Sequence, residues 1–152
     1  MTTLRHEIQI AAPVDRVWSL LSDLTAVQHY NPTVRAARMA LGPTTGAGAE
    51  RVCDLHPKGQ VTERVTVWEP GRSLGLEVTK SDWPIVFMRW KTSLDPLGQA
   101  TRVSQTLDYQ VKFGPFGALL DAMVMRRKLN AAIADVFQRM KLHVEKRHGD
   151  PA

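Results

Sequence analysis

Between residues 33 and 112 the sequence alternates apolar with polar side chains, and clusters of turn residues interrupt the alternation at short intervals. Because successive side chains of a β-strand point to opposite faces, a period of two indicates strands with one buried face. The turn clusters contain glycine or proline and lie at positions 42–46, 57–59, 70–71, 82–84 and 96–98. Six strands are therefore predicted, over residues 33–41, 49–56, 60–69, 73–80, 85–95 and 100–112, with links short enough for antiparallel hairpins.

Polar residues interrupt the apolar faces of these strands. The predicted apolar faces contain Val61, Val65 and Val67; Leu74, Leu76 and Val78; Val86, Met88, Trp90 and Leu94; Val103, Leu107, Tyr109 and Val111. Glu63, Thr92 and Gln105 lie on the same faces, and Arg51 shares its face with Cys53 and Leu55. Buried charges require partners, and polar groups on an apolar face are typical of a ligand cavity. Arg51 and Glu63 therefore either line a cavity or form a structural ion pair in a packed core.

One strand and two short helices are predicted before this region. The strand covers residues 4–11, and its apolar face includes His6. Pro13 begins the first helix, because proline suits the first helical turn. The second helix covers about residues 24–29 and ends before Pro32, since the residue preceding a proline disfavours helical angles.

A single long helix is predicted from Phe116 to about Lys146, where the sequence contains no proline and one glycine. An apolar stripe runs along its second half, formed by Leu129, Ile133, Val136, Phe137, Met140 and Val144. Continued towards the N-terminus, this stripe passes through Ala122 and Arg126. The first half is apolar almost all round and is expected to cover more than the sheet; its apolar residues include Leu119, Leu120, Met123, Val124 and Met125.

Length and cysteine content limit the class of protein. A chain of 152 residues fits one domain, residues 1–152, and has no apolar stretch long enough to span a membrane. The N-terminus lacks the features of a secretory signal, so a cytoplasmic location is expected. Cys53 is the only cysteine and is expected to be a small buried residue; no Cys/His spacing suggests a zinc site, and no metal or cofactor is expected.

The net charge of +5 is concentrated near the C-terminus. The basic residues there are Arg126, Arg127, Lys128, Arg139, Lys141, Lys146 and Arg147. Asp135 and Glu145 interrupt them, as expected for the solvent face of a helix. Because no nucleic-acid-binding motif accompanies the charge and aromatic residues are not interleaved with it, no nucleic-acid partner is expected.

These elements predict an α+β fold, in which a curved antiparallel sheet of seven strands wraps a long C-terminal helix, with two short helices between the first two strands. The segment 8–23 and the Tyr30-Asn31-Pro32 triplet resemble the start of the START-related SRPBCC superfamily, and this resemblance implies that the fold is a helix-grip fold. The segments 46–51, 59–65, Trp68–Pro70, 114–117 and 140–145 resemble its polyketide cyclase/dehydrase-like branch. Tyr30 replaces the tryptophan that relatives tend to carry, and it either alters the cavity mouth or substitutes one packing ring for another.

The resemblance implies a ligand cavity between sheet and helix. Nine residues are candidates for its lining: Tyr30, Arg51, Glu63, Trp90, Thr92, Gln105, Tyr109, Met123 and Arg126. Trp90 and Tyr109 either stack on a flat ligand or fill the core. Thr92 and Gln105 are stronger indicators, because an inward amide needs hydrogen-bond partners. Arg126 either reaches an anionic ligand group or Glu63, or extends into solvent. His6 either contacts a ligand or, near the start of its strand, is partly exposed.

Three functions are compatible with these residues. The leading expectation is binding of a small hydrophobic molecule, such as a lipid, quinone or polyketide-like compound. The first alternative is a polyketide aromatase/cyclase or dehydratase that uses Arg51, Tyr109 and Glu63, the last being the only carboxylate predicted to point inward. The second is a protein-interaction or chaperone-assisting module, or a homodimer, that docks through the apolar first half of the long helix. No motif of a conventional hydrolase, kinase or dehydrogenase is present.

Overall fold

The computed structural model describes residues 1–149, and the side chains of residues 1–146. The strands are β1 Thr2–Ile10, β2 Val34–Met39, β3 Glu50–Leu55, β4 Gln60–Glu69, β5 Ser73–Ser81, β6 Ile85–Leu97 and β7 Ala100–Val111. The helices are α1 Val14–Ser22, a 3₁₀ turn Leu24–Ala26, α2 Val27–Tyr30, α3 Gly114–Leu120, a π-helical turn Asp121–Met125 and α4 Arg126–Gly149. The predicted helix-grip fold is confirmed. Of the predicted basic helix face, the side chain of Arg147 lies outside the described residues.

All seven strands form one antiparallel sheet in the order β1-β7-β6-β5-β4-β3-β2. The hairpin links between β2 and β7 follow the turn clusters, and β1 closes against β7 at the other edge. The C-terminal helix, Gly114–Gly149, lies on the concave face, where its second half packs on β1 and the short helices. We use "C-terminal helix" below for α3, the π-helical turn and α4 together.

Two β-bulges change which side chains point inward. A register shift between Val65 and Val67 turns Val67 away from the concave face, and Trp68 packs into the core in its place, 5.3 Å from the ring of Trp18. A second shift, between Ile85 and Phe87, buries Ile85 and leaves Val86 57% exposed. The predicted inward positions of Val67 and Val86 were therefore wrong, because a bulge inserts one residue and reverses the alternation.

The sheet opens between β5 and β6. Their pairing runs from Ser73–Ser93 to Glu77–Arg89 and ends there. Beyond it, Val78 to Ser81 of β5 stay paired with β4, whereas Ile85 to Met88 of β6 stay paired with β7. The two strands thus separate before the turn at 82–84 that links them, and we call this unpaired stretch the gap between β5 and β6.

A sharp turn connects β7 to the C-terminal helix. Phe113 and Gly114 both have left-handed backbone angles, with φ of 78° and 53°, and Pro115 occupies the first helical turn. For Phe113 this conformation is strained. One turn later Gly117 lies against the end of β7, where a Cβ atom would come within 1.9 Å of the Lys112 carbonyl oxygen. Only glycine therefore permits this close approach of helix to strand.

The inward stripe of the C-terminal helix follows a different course from the predicted one. In α4 the buried residues are Phe137, Met140 and Val144. Before α4 the buried positions are Gly117 and Asp121, whereas Ala122 and Arg126 are exposed. The prediction that the stripe continues through Ala122 and Arg126 was wrong. The π-helical turn contains extra residues per turn, and this shifts the phase of the helix by one position.

None of the helices within residues 1–149 is long and apolar enough to cross a lipid bilayer.

Candidate functional site

A buried ion pair joins β3 and β4 on the concave face. Arg51 Nε donates to Glu63 Oε2 at 2.6 Å, and Arg51 Nη1 donates to the Leu24 carbonyl oxygen at 2.8 Å. Both residues are less than 10% exposed. Burial lowers the pKa of Arg51, but the electrostatic effects of Glu63, Tyr30 and Cys53 and the hydrogen bond to Glu63 together outweigh it, and the pKa is raised overall. The guanidinium thus stays charged and ties the sheet to the segment before α2.

Tyr30 is buried beside this pair. Burial raises the pKa of its phenol; the charge of Arg51 opposes that effect, and the charge of Glu63 adds to it. Cys53 is also buried there, and burial raises the pKa of its thiol to about 12. The prediction that Cys53 is a small buried residue is confirmed by the structure, and the thiol is not a nucleophile at neutral pH.

A row of polar side chains crosses the concave face on three adjacent strands. His6 of β1 pairs with Gln105 of β7, which pairs with Thr92 of β6. Gln105 Nε2 donates to Thr92 Oγ1 at 3.1 Å. The ring of Phe137 stands edge-on to the ring of His6 at 6.3 Å and covers the row from the helix side. His6 is half-buried, and its Nδ1 atom is buried without a hydrogen-bond partner among the described residues.

A second buried carboxylate lies on the C-terminal helix. Asp121 accepts hydrogen bonds from Thr2 Oγ1 at 2.6 Å, from the Tyr109 hydroxyl, and from Arg126 Nη2 at 3.4 Å. Asp121 and Tyr109 are buried, whereas half of the Arg126 side chain is exposed. Glu63 is therefore not the only inward carboxylate. Gly117, Asp121, Met125 and Leu129 are spaced by four, and the π-helical turn keeps them on one face; in a regular α-helix this spacing would drift by about 120°, so periodicity alone did not indicate Asp121.

Hydrogen bonding fixes the charge state of this second cluster. Burial tends to raise the pKa of Asp121, but hydrogen bonds from Thr2, Tyr109 and Arg126 outweigh it and lower the pKa overall. Burial and the hydrogen bond to Asp121 raise the pKa of Tyr109 to about 12. At neutral pH the cluster consists of a carboxylate, a neutral phenol and a guanidinium, and it holds the first half of the helix on β1 and β7.

A half-buried apolar surface lies between the two charged clusters. A small core cluster contains three buried residues, Leu4, Leu107 and Tyr109, and five partly buried ones, Met88, Trp90, Val111, Leu129 and Ile133. Val78 of β5, opposite Glu63, is also partly buried. Val78 and Met88 lie where β5 and β6 separate. We call this set of side chains the apolar groove: Val78, Met88, Trp90 and Leu107 form its floor on the sheet, and Leu129 and Ile133 form its roof on the C-terminal helix.

The nine predicted site residues fall into separate groups. Tyr30, Arg51 and Glu63 come together at one side of the groove, Tyr109 and Arg126 at the other, and Thr92 and Gln105 at its inner end. Trp90 lies in the floor between them. Arg126 pairs with Asp121 and not with Glu63. Met123 is 64% exposed on the opposite side of the helix and lies away from the other eight.

Two surface depressions lie outside the groove. One of about 400 Å³ is on the convex face of the sheet, over Gly75, between Arg89, Lys91 and Asp108. The other, of about 230 Å³, lies beside Asp121 and Arg126 at the start of the C-terminal helix. Under the second half of the helix, Phe137, Met140 and Val144 pack into the core, as the predicted apolar stripe required.

The fold is a helix-grip fold with polar groups on its concave face. Residues 1–145 match the family model described as "Polyketide cyclase / dehydrase and lipid transport", and the chain belongs to this family, as its sequence motifs predicted. No curated protein matches the sequence at a significant level.

Solved structures show the same fold at low sequence identity. A protein from Thermus thermophilus has a TM-score of 0.79 at 21% identity, with 94% of this chain and 97% of that chain covered. A START superfamily protein from Mycobacterium smegmatis has a TM-score of 0.79 at 16% identity, covering 95% and 97%. A norcoclaurine synthase point mutant from Thalictrum, in complex with a transition-state analogue, has a TM-score of 0.71 at 16% identity, covering 97% and 96%. At these identities the likeness extends to the fold alone.

Proposed function

We propose that this protein binds a small hydrophobic molecule with one polar group, of lipid, quinone or polyketide-like character, in the apolar groove. The observation that carries the proposal is the half-buried surface of Met88, Trp90, Leu129 and Ile133, because apolar side chains left partly open inside a grip gain free energy when a ligand covers them. Family membership supports the same function. We place this activity in the cytoplasm.

The groove has a direction. Its mouth is the gap between β5 and β6, and the polar row of His6, Gln105 and Thr92 lies four residues along the strands from Met88 and Tyr109. At about 3.3 Å per residue, the distance from mouth to row is about 13 Å. The ligand's apolar body would cover Trp90 and Leu107, and its polar group would bind at the inner end.

His6 supplies the group for that polar contact. A buried nitrogen without a partner costs free energy in the ligand-free protein, and a ligand hydroxyl or carbonyl would satisfy it. Arg51 and Glu63 already bind each other, so they shape the side of the groove and do not bind the ligand's polar group. The carboxylate of Asp121 is likewise engaged on the other side.

Titration calorimetry with decanoate, a short-chain ubiquinone analogue and a flavonoid tests this proposal. Binding of at least one of them is expected, and Ile133→Trp, which places a large ring in the groove roof, should abolish it. Leu142→Trp is the matched control on the same helix, since Leu142 is 65% exposed and should bind as wild type. No binding of any probe, or equal loss in both variants, would contradict the proposal.

A second variant tests the role of His6 without filling the groove. His6→Phe removes the unpartnered nitrogen, so thermal stability should stay equal or rise. Affinity for the probe that binds should fall by about tenfold, since about 1.4 kcal/mol of hydrogen bonding is lost. Unchanged affinity would mean that the ligand's polar group does not bind His6.

An aromatase/cyclase or dehydratase is the second candidate, favoured by the buried carboxylate of Asp121 and phenol of Tyr109 at one side of the groove. Tyr109, with a pKa raised to about 12, would stay protonated and would not act as a base; its hydroxyl would exchange its hydrogen bond to Asp121 for one to the substrate. Tyr109→Phe should then abolish turnover of a polyketide substrate while the affinity for that substrate persists. Full turnover by Tyr109→Phe would exclude a mechanism that depends on the Tyr109 hydroxyl.

A further inference from the structure

The outer side of the first half of the C-terminal helix carries a continuous apolar surface. Six large apolar residues there are between 42% and 64% exposed: Phe113, Phe116, Leu119, Leu120, Met123 and Val124. We call them the apolar ridge. They lie within twelve residues, so in helical geometry the ridge is about 18 Å long. Single exposed apolar residues are ordinary on a protein surface, but a contiguous group of this size marks an interaction surface.

Basic side chains lie at both ends of the ridge. Lys112 precedes Phe113, and Arg126, Arg127 and Lys128 follow Val124; all four are exposed. Arg127 is four positions from Met123 and Lys128 is four positions from Val124, so they continue the ridge by one turn. The only acidic residue in positions 112–128 is Asp121, which is buried and paired with Arg126. The segment therefore presents apolar side chains framed by Lys112, Arg127 and Lys128, none of which pairs with an acidic residue of the segment.

This combination of apolar and basic side chains indicates which kind of partner the ridge binds. In a twofold pairing of two copies through the ridge, an antiparallel arrangement would bring Lys112 of one copy near Arg127 and Lys128 of the other, with no carboxylate to separate them. Like charges in contact oppose such an interface. An anionic lipid surface instead offers negative headgroups to the basic side chains and an acyl boundary to the aromatic and aliphatic ones.

We propose that the apolar ridge and its flanking basic residues dock the protein on the surface of an anionic lipid bilayer. The helix lies in the interface plane, with Phe113, Phe116 and Met123 inserted below the headgroups and Arg127 and Lys128 at the phosphates. The sharp turn at Phe113 and Gly114 sets the ridge at the end of β7, close to the gap between β5 and β6, because the Lys112 N–H donates to the Pro84 carbonyl oxygen. Docking would thus bring the mouth of the apolar groove near the bilayer.

Vesicle sedimentation tests the proposal with the full chain. Wild-type protein should pellet with phosphatidylcholine vesicles in which about a third of the lipid is phosphatidylglycerol, should stay largely in solution with pure phosphatidylcholine, and should be released by high salt. Binding of the double variant Leu119→Asp/Met123→Asp should fall by about tenfold or more. Binding of Arg127→Gln/Lys128→Gln should fall by about tenfold or more, because each charge adds to the attraction.

Leu142→Asp is the matched control. Leu142 is 65% exposed on the second half of the same helix, away from the ridge, so its variant should pellet as wild type. Equal loss in Leu142→Asp, equal binding to neutral vesicles, or no sedimentation of wild type would overturn the proposal. A dimer in light scattering that Leu119→Asp converts to a monomer, without vesicle binding, would assign the ridge to a second copy instead. Probe binding to the groove is measured without vesicles, so either result stands independently of the other.

Discussion

In the second half of the C-terminal helix, Phe137, Met140 and Val144 are at most 4% exposed and join the main core. In the first half, Gly114 to Met125, the buried residues are Gly117 and Asp121, and the large apolar side chains point outward. One half is held by apolar packing, and the other by a close backbone approach and one polar cluster. Packing of the first kind is hard to reverse, whereas a few hydrogen bonds can be exchanged. The first half is therefore expected to open locally more readily than the second half.

The largest expected effect is in the second half. Phe137→Ala should destabilise the protein by about 3–5 kcal/mol, because it leaves a cavity between α4 and the sheet. Urea unfolding followed by circular dichroism measures the change. If Phe137→Ala lowered the free energy of unfolding by less than about 1 kcal/mol, Phe137 would not be part of the packed core.

The next largest loss of stability is expected in the polar cluster around Asp121. Asp121→Ala should cost about 1.5–3 kcal/mol, because Tyr109 and Thr2 lose their acceptor in a buried place. Hydrogen exchange should accelerate at the amides of residues 116–125 and stay unchanged at residues 133–144. Uniform acceleration along both halves would contradict the view that they are held separately.

Much of this architecture was predictable from the sequence. The alternation and its turn residues placed all seven strands, and the helix boundaries differ from the predicted ones by a few residues. The charged pair Arg51–Glu63 and the Thr92–Gln105 pair were found because each is a polar residue at an apolar position of a regular strand. Periodicity alone identified these four residues.

The errors arose where regular periodicity fails. Bulges at Val67 and Val86 reversed the alternation, and the π-helical turn at Asp121 shifted the helix phase. Asp121 was missed and Met123 and Arg126 were assigned to the interior for the same reason. Neither a bulge nor a π-helical turn has a clear signature in one sequence, because long-range packing determines where the extra residue is accommodated. The site near the helix start was therefore less predictable than the site on the strands.

A smaller effect is expected on the pH dependence of the stability that the Asp121 carboxylate contributes. The pKa of Asp121 is lowered in the folded protein, below an unfolded value of about 3.9. Its carboxylate therefore contributes stability that is fully present above that value and is lost as the pH falls through the folded pKa. The difference in unfolding free energy between wild type and Asp121→Asn should be constant from neutral pH to about pH 5 and shrink below about pH 4. A difference that shrinks on raising the pH would contradict the assigned charge state.

The smallest effect is expected on the ridge. Met123→Ala should change the unfolding free energy by less than about 0.5 kcal/mol, because 64% of Met123 is already exposed in the folded protein. Leu142→Ala, at a similarly exposed position of the second half, is the matched control and should behave alike. A loss above about 1 kcal/mol for Met123 alone would mean that this side chain is covered in solution. If that loss grew with protein concentration, the cover would be a second copy, because stability gained by association depends on mass action. The two halves of the helix would then differ in what covers their apolar side chains. They would no longer differ in how firmly each half is packed.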